Sequence, residues 1–352
     1  MSGRAFSIGD AVFWFFKCFG RKPGGALWIA FWQMLVGGLI AVLLVSLLLP
    51  IYADLFTTAL AIEAGTMSDE EGGLLILGYV AQILLTGSWA FIVGILATLS
   101  FQGAWQRFLT RGEIASIIPL RLGGDELRLF GVNLLYIAVG FAMYIGVVTV
   151  LVTLGLTGGG IIAASGDNTA VGAVGFGLAM FLGFIGLALS VLFIAVKLSC
   201  APSLSVHDKK FRFFESWEAT NGVFGHMVLS YLLVIILIMV VGSILGFMVQ
   251  LIFLGAMAPM VGDIINLVEQ VEEPAVEEVL AIFQAHIMQS GVIGVFAVGV
   301  VLSYLLQIIY EGMFAGVAAY NTVRHRDGST IDEGDAPVLG ADSPLGATPK
   351  EG

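Results

Sequence analysis

Ionisable side chains are scarce in the apolar stretches of this chain, so the few that occur there are the first candidates for chemistry. An ionised group near a bilayer centre costs about 2.5–3.5 kcal/mol on insertion scales and often marks a functional path. Lys197 and Glu311 approach that description, and Gln102 joins them at similar depth near one end of its own apolar run. Two readings are open. The three meet as a polar cluster with Lys197 and Glu311 paired, or Lys197 extends to the headgroups and Glu311 marks a helix end.

A second group, Glu269, Glu272, Glu273, Glu277 and Glu278, offers the oxygen ligands that calcium or magnesium takes. No glycine-punctuated calcium loop accompanies it, and a solvated helical face explains the same residues. His207, His226, His286 and His325 are dispersed, with no His-Glu-x-x-His spacing for zinc. Cys18 and Cys200 have no metal-ligand spacing and read as small apolar residues near reducing surroundings. Neither a Gly-x-Ser-x-Gly elbow nor a phosphate-binding Gly-x-x-x-x-Gly-Lys loop is present, and no Gly-x-Gly-x-x-Gly follows a strand. No catalytic residue, cofactor or metal site is expected.

The elements that must position these residues follow from composition. Hydrophobic residues make up 58% of the chain and charged residues 12%, with a mean hydropathy of +0.99. That is an all-α polytopic membrane protein, not a soluble domain. The 352 residues leave room for about six spans of ~20 residues each. Candidate spans lie at about 26–50, 77–104, 129–154, 172–197, 228–256 and 292–318. All 15 Lys and Arg residues fall before the first span, in alternate connections, or after the last. The connections 51–76, 155–171 and 257–291 have none. Under the positive-inside rule both termini are cytoplasmic, and six spans are favoured over five or seven. A cleaved signal peptide is not expected, because the first apolar run is too long for a signal core. The net charge of −11 argues against a nucleic-acid partner.

Each pair of spans is expected to be a hairpin led into by an amphipathic segment at the membrane surface, at roughly 5–110, 117–200 and 207–323. Phe211, Phe214 and Trp217 recur at i, i+3, i+6, which places them on one helical face, while Lys210 and Arg212 fall largely elsewhere; all five are candidate membrane-surface contacts. Residues 5–19 begin with a possible capping box from Ser7 to Asp10 and are too short to cross. Trp14, Lys17, Arg21 and Lys22 there are candidate membrane-surface contacts. Asp125 is placed to cap the third span. Small residues every four positions, at Ala138, Ala142 and Gly146, at Gly175, Ala179 and Gly183, and at Gly242 and Gly246, are expected to let helices approach closely. Pro274 is expected to start a helix leading into span six. Residues 1–323 form one transmembrane domain, and 324–352 read as a disordered cytoplasmic tail.

Two stretches carry a resemblance: Pro119-Leu-Arg-Leu-Gly-Gly-Asp-Glu-Leu-Arg-Leu129, and Ala201-Pro202 with Glu215-Ser-Trp-Glu-Ala-Thr-Asn-Gly222. With them the chain resembles bacterial six-helix inner-membrane proteins, including the membrane domain attached to some glycerophosphodiester phosphodiesterases. The resemblance implies an inner-membrane location and no established activity, and hydrolytic chemistry is not expected to carry over. The expected role is non-enzymatic, organising membrane lipids or partner proteins of the envelope. A small-molecule or lipid transporter is the alternative, with Gln102, Lys197 and Glu311 as a polar inner gate.

Overall fold

Long runs of Leu, Val, Ile, Ala and Gly in a lipid environment must satisfy their backbone within the segment, and the helix does so. The computed structural model describes residues 5–114, 118–119, 121–164, 169–271, 276–287 and 290–327. Among these every regular element is an α-helix. In order they are α1 (Ile8–Val12), α2 (Trp14–Arg21), α3 (Pro23–Glu63), α4 (Asp69–Arg111), α5 (Gly124–Ala164) and α6 (Thr169–Leu198). Then come α7 (Ala201–His207), α8 (Glu215–Ala219), α9 (Phe224–Gln270), α10 (Val276–Ile287) and α11 (Ser290–Asp327). Six of them, α3, α4, α5, α6, α9 and α11, contribute the stretches long and apolar enough to cross a membrane.

The long helices overrun the expected spans. α3 continues through Pro50 to Glu63, α5 through the glycines at 155–160, and α9 through Pro259 to Gln270. Two prolines thus lie inside helices. Hydropathy sets where an apolar run begins, whereas capping chemistry sets where the helix stops. Ser68 accepts a hydrogen bond from the N–H of Glu71 to start α4, and Gly112, at φ 62°, ends it in a left-handed turn. The connection expected over 51–76 shrinks to 64–68. At about 1.5 Å per residue, the 47 residues of α9 span roughly 70 Å, well beyond a hydrocarbon core of about 30 Å.

α3 packs along α4, α5 along α6, and α9 along α11, while α4 also touches α5, α7 and α11. The core is gathered at one end, where the Lys- and Arg-bearing helix ends meet. Its largest fully buried side chains include Trp14, Ile29, Leu109, Leu204, Met227 and Val317. Away from that end the long helices are scarcely covered: in the most apolar window of each, at most 6% of residues are buried.

Several local expectations change accordingly. The Ser7 capping box forms, with the hydroxyl accepting from the N–H of Asp10 at 3.2 Å. Its helix, however, breaks at Phe13 into α1 and α2, and the apolar face of both is buried against the protein. The stretch from Phe211 to Trp217 is not one helix either. α7 stops at His207, Lys209 takes a φ of 51°, and only the five residues of α8 are helical. Phe213, off the expected face, is the ring that anchors the segment in a small core with Val132 and Ala201. The described residues between α4 and α5 are not helical. The stripes of small residues face open space at Gly146, Gly175, Gly242 and Gly246, although Gly183 does meet Leu154. Close approach occurs instead at Gly312 and Gly316 of α11. Any Cβ at Gly312 would strike the Phe15 ring, and one at Gly316 would lie 3.2 Å from the Phe15 backbone nitrogen. α10 is a separate helix on α9 and α11, and Pro274, Glu272 and Glu273 lie outside the described residues. α11 continues to Asp327, past the expected start of the tail, whose residues 328–352 also lie outside them.

Candidate functional site

The three polar residues singled out in the sequence each have their own partners. Lys197, in the last turn of α6, is buried, where the negative end of the helix dipole favours a cation. Its ammonium donates to Asn221 Oδ1 at 2.7 Å. It also lies 5.3 to 5.9 Å from the ring centroids of Trp217, Phe224 and Phe193. This is an aromatic cage closed on the chain's own cation, so the partners of Lys197 are Asn221 and the rings, not Glu311. Ser216 braces it from behind, donating to the Lys197 carbonyl at 2.8 Å and accepting from the Cys200 N–H at 3.1 Å. Replacing Lys197 by Met keeps the stem and puts an apolar tip against the rings, whereas Glu puts a carboxylate against their negative faces. Thermal unfolding in detergent should place Lys197→Glu at least about 2 kcal/mol below Lys197→Met; equal losses would show that the rings do not recognise the charge.

Gln102 accepts from Asn133 Nδ2 at 2.8 Å and so joins α4 to α5. Glu311 belongs to a third set. Its Oε2 accepts from Gln33 Nε2 at 3.4 Å and its Oε1 from Gln307 Nε2 at 3.0 Å. Gln33 is the hub: its Oε1 accepts from the Trp105 indole at 2.7 Å, and its backbone carbonyl from the Tyr304 hydroxyl at 3.2 Å. One amide therefore ties α3 to α4 and α11. Sequence reading passed over it, although a buried amide inside an apolar helix needs partners in the way an intramembrane charge does.

A second feature missed in the sequence is an ionic network under the start of α5. Arg107, 3% exposed, pairs with Glu126, also 3% exposed, and its other nitrogen donates to the Pro119 carbonyl at 3.3 Å. Asp125 binds Arg111 at 2.6 Å and Arg128 at 2.7 Å. Arg111 then reaches the Val206 carbonyl at 2.8 Å, which ties α4 to α7. The capping carboxylate is Glu126, which accepts from the Gly123 N–H at 2.9 Å; Asp125, expected in that role, is committed to the arginines. Gly103 leaves the space that the Glu126 carboxylate occupies.

The candidate surface residues divide. Trp14, 1% exposed, is a core residue whose indole donates to the Leu109 carbonyl at 3.1 Å, so it has no face left for a membrane. Arg21 lies 5.7 Å over the Trp14 ring, Lys22 donates to the Gly112 carbonyl at 3.0 Å, and Lys17 pairs with Asp10. Phe211, Phe214 and Trp217 do remain exposed, at 48, 72 and 42%, beside exposed Lys210. Phe13, at the break between α1 and α2, and Phe16 of α2 are exposed as well. Arg212 binds Glu215 at 2.8 Å and holds that carboxyl below the usual range. Among the described residues no group of His, Cys, Asp or Glu is arranged to hold a metal. Outside the compact end lies one further feature, an open groove of about 620 Å³ between α9 and α11, lined in part by Gln250, Ser303, Tyr304 and Gln307.

Compared with protein-family models, curated proteins and solved structures, the chain matches none.

Proposed function

We propose that this is a multi-pass protein of a bacterial inner membrane, three hairpins with both termini cytoplasmic, that organises lipids or a partner membrane protein and carries out no chemistry of its own. The observation that carries the reading is the separation of packing from apolar length. The core gathers the cation-bearing ends into one cap, and the apolar faces beyond it are left to lipid or to another protein. The exposed aromatics at Phe13, Phe16, Phe211 and Phe214 suit the rim of such a cap at headgroup depth. The kinship with the membrane domain of some glycerophosphodiester phosphodiesterases belongs to the same proposal: the stretches that carry it supply the Asp125 and Glu126 network and the Asn221 and Trp217 walls of the Lys197 cage, which are structural parts. The transport reading needs Gln102, Lys197 and Glu311 at one gate, and three separate sets of partners do not favour it.

Native mass spectrometry of protein released gently from its own membrane tests the role. A discrete lipid or a partner protein travelling with the chain is the expected result. A chain that retains neither would contradict it.

Orientation is open to thiol labelling, since both native cysteines are buried and the Cys18 thiol is pushed up to about 12 by burial, against the pull of Arg21. In intact cells a membrane-impermeant maleimide should modify Ala64→Cys and spare Lys210→Cys. The opposite pattern would invert the topology.

A further inference from the structure

We infer that the groove between α9 and α11 is a binding site for a phospholipid whose headgroup carries a primary amine, held at Glu311. The inference rests on the lipid-organising reading above and names the lipid class.

Three observations converge. First, Ser303, Gln307 and Glu311 recur every four residues, which makes one stripe on α11, and all three are exposed on an otherwise apolar helix surface. Gln307 and Glu311 hydrogen-bond to each other, which satisfies polar atoms but leaves the stripe's negative charge uncompensated. Second, Glu311 is a carboxylate whose partners in the chain, Gln33 and Gln307, are neutral amides. No cation among the described residues pairs with it. The charge complement must be supplied by a ligand. Third, the groove begins at Gln307, one helical turn from this carboxylate, and runs towards the far ends of α9 and α11. Gln307, which donates to Glu311, lines it, and the lining then becomes mostly apolar as far as Val295. From Gln307 to Val295 is about 18 Å of helix, close to the ~15 Å of one leaflet's hydrocarbon.

The chemistry selects the headgroup. A primary ammonium has three N–H donors, which the Glu311 carboxylate and the amide oxygen of Gln307 accept. A quaternary ammonium has the charge without the donors, and an acidic headgroup meets a carboxylate of like charge. The acyl chain then lies against Leu302, Leu306 and Val249, with Gln250 and Ser303 left for the glycerol ester region of a second chain or for water.

The test uses the full chain in nanodiscs made of equal parts of ethanolamine, choline and glycerol phospholipids with identical acyl chains, read by native mass spectrometry. Wild type is expected to retain one ethanolamine lipid with about tenfold preference over the choline lipid. Glu311→Gln keeps one of the two acceptor oxygens, so it should still fold, with a modestly lower unfolding temperature, and lose that preference. Ser303→Trp, which fills the groove, should lose retained lipid of every class. Lipid retained without headgroup preference, or with a preference indifferent to Glu311, overturns the inference and leaves the lipid-organising reading standing. A lysine of another membrane protein cross-linked to Glu311 in native membranes also overturns it, by giving the carboxylate to a protein partner. Failure of any lipid to be retained, by wild type and variants alike, would remove both.

Discussion

Arg107→Ala should lower the stability of the extracted protein by about 3–5 kcal/mol, the usual cost of breaking a buried ion pair from one side. Arg107 and Glu126 are each 3% exposed, and Asp125 is 9% exposed with Arg107 Nη1 at 3.8 Å. Removing the guanidinium leaves Asp125 with Arg111 and Arg128, but leaves Glu126 with only the Gly123 N–H. It also frees the Pro119 carbonyl, so the connection into α5 loses its anchor on α4. Taking away both charges is a different experiment. Arg107→Met combined with Glu126→Gln should recover at least half of the loss, because no uncompensated charge is then buried. Chemical unfolding followed by tryptophan fluorescence reads both variants. A double variant no better than Arg107→Ala would show that the network's geometry, and not its charge balance, is what the fold needs.

Trp14→Ala is expected to cost a similar amount, about 3–5 kcal/mol for an emptied aromatic site. The ring meets Tyr320 edge-on at 5.5 Å, and its N–H is spent on the Leu109 carbonyl near the end of α4. α2, α4 and α11 therefore meet on this one side chain. Trp14→Phe keeps most of the apolar contact and strands the carbonyl, which should cost about 1–2 kcal/mol. The series separates two roles for the N-terminal aromatics. If Trp14 lay on the membrane surface, its removal would weaken contact with lipid and leave unfolding unchanged.

What could be read from the sequence is the part governed by bulk preference. Six apolar runs become six long helices, and the Ser7 cap forms because a hydroxyl three residues before a helical N–H is a local arrangement. The rest depends on which neighbour arrives. Helix lengths were underestimated because Pro50 and the glycines near 155 weaken a helix without ending it when no competing cap is present. Asp125 and Glu126 both sit in the first turn of α5, and only the position of Arg107 on another helix decides which of them caps. Lys197 and Glu311 have complementary charges and similar depth, yet the rings from α8, α9 and α6 itself surround the lysine first. Trp14 has the amphipathic surroundings of an interfacial residue. Its burial follows from Gly312 and Gly316, which let α2 settle against α11 and which nothing near Trp14 announces.

The central claim is that the chain is held together at its cation-bearing cap and gives its apolar spans to lipid. Nitroxide labels placed singly at Val42, Leu84, Phe141, Leu182, Phe247 and Val298, one per long helix and all exposed, test it directly in reconstituted liposomes. Collisions with dissolved oxygen should exceed those with a water-soluble nickel chelate at all six positions, with the mobility of a lipid-facing surface. Labels that are immobile and shielded from both reagents on several helices would mean that the spans close on one another, and the claim would be wrong.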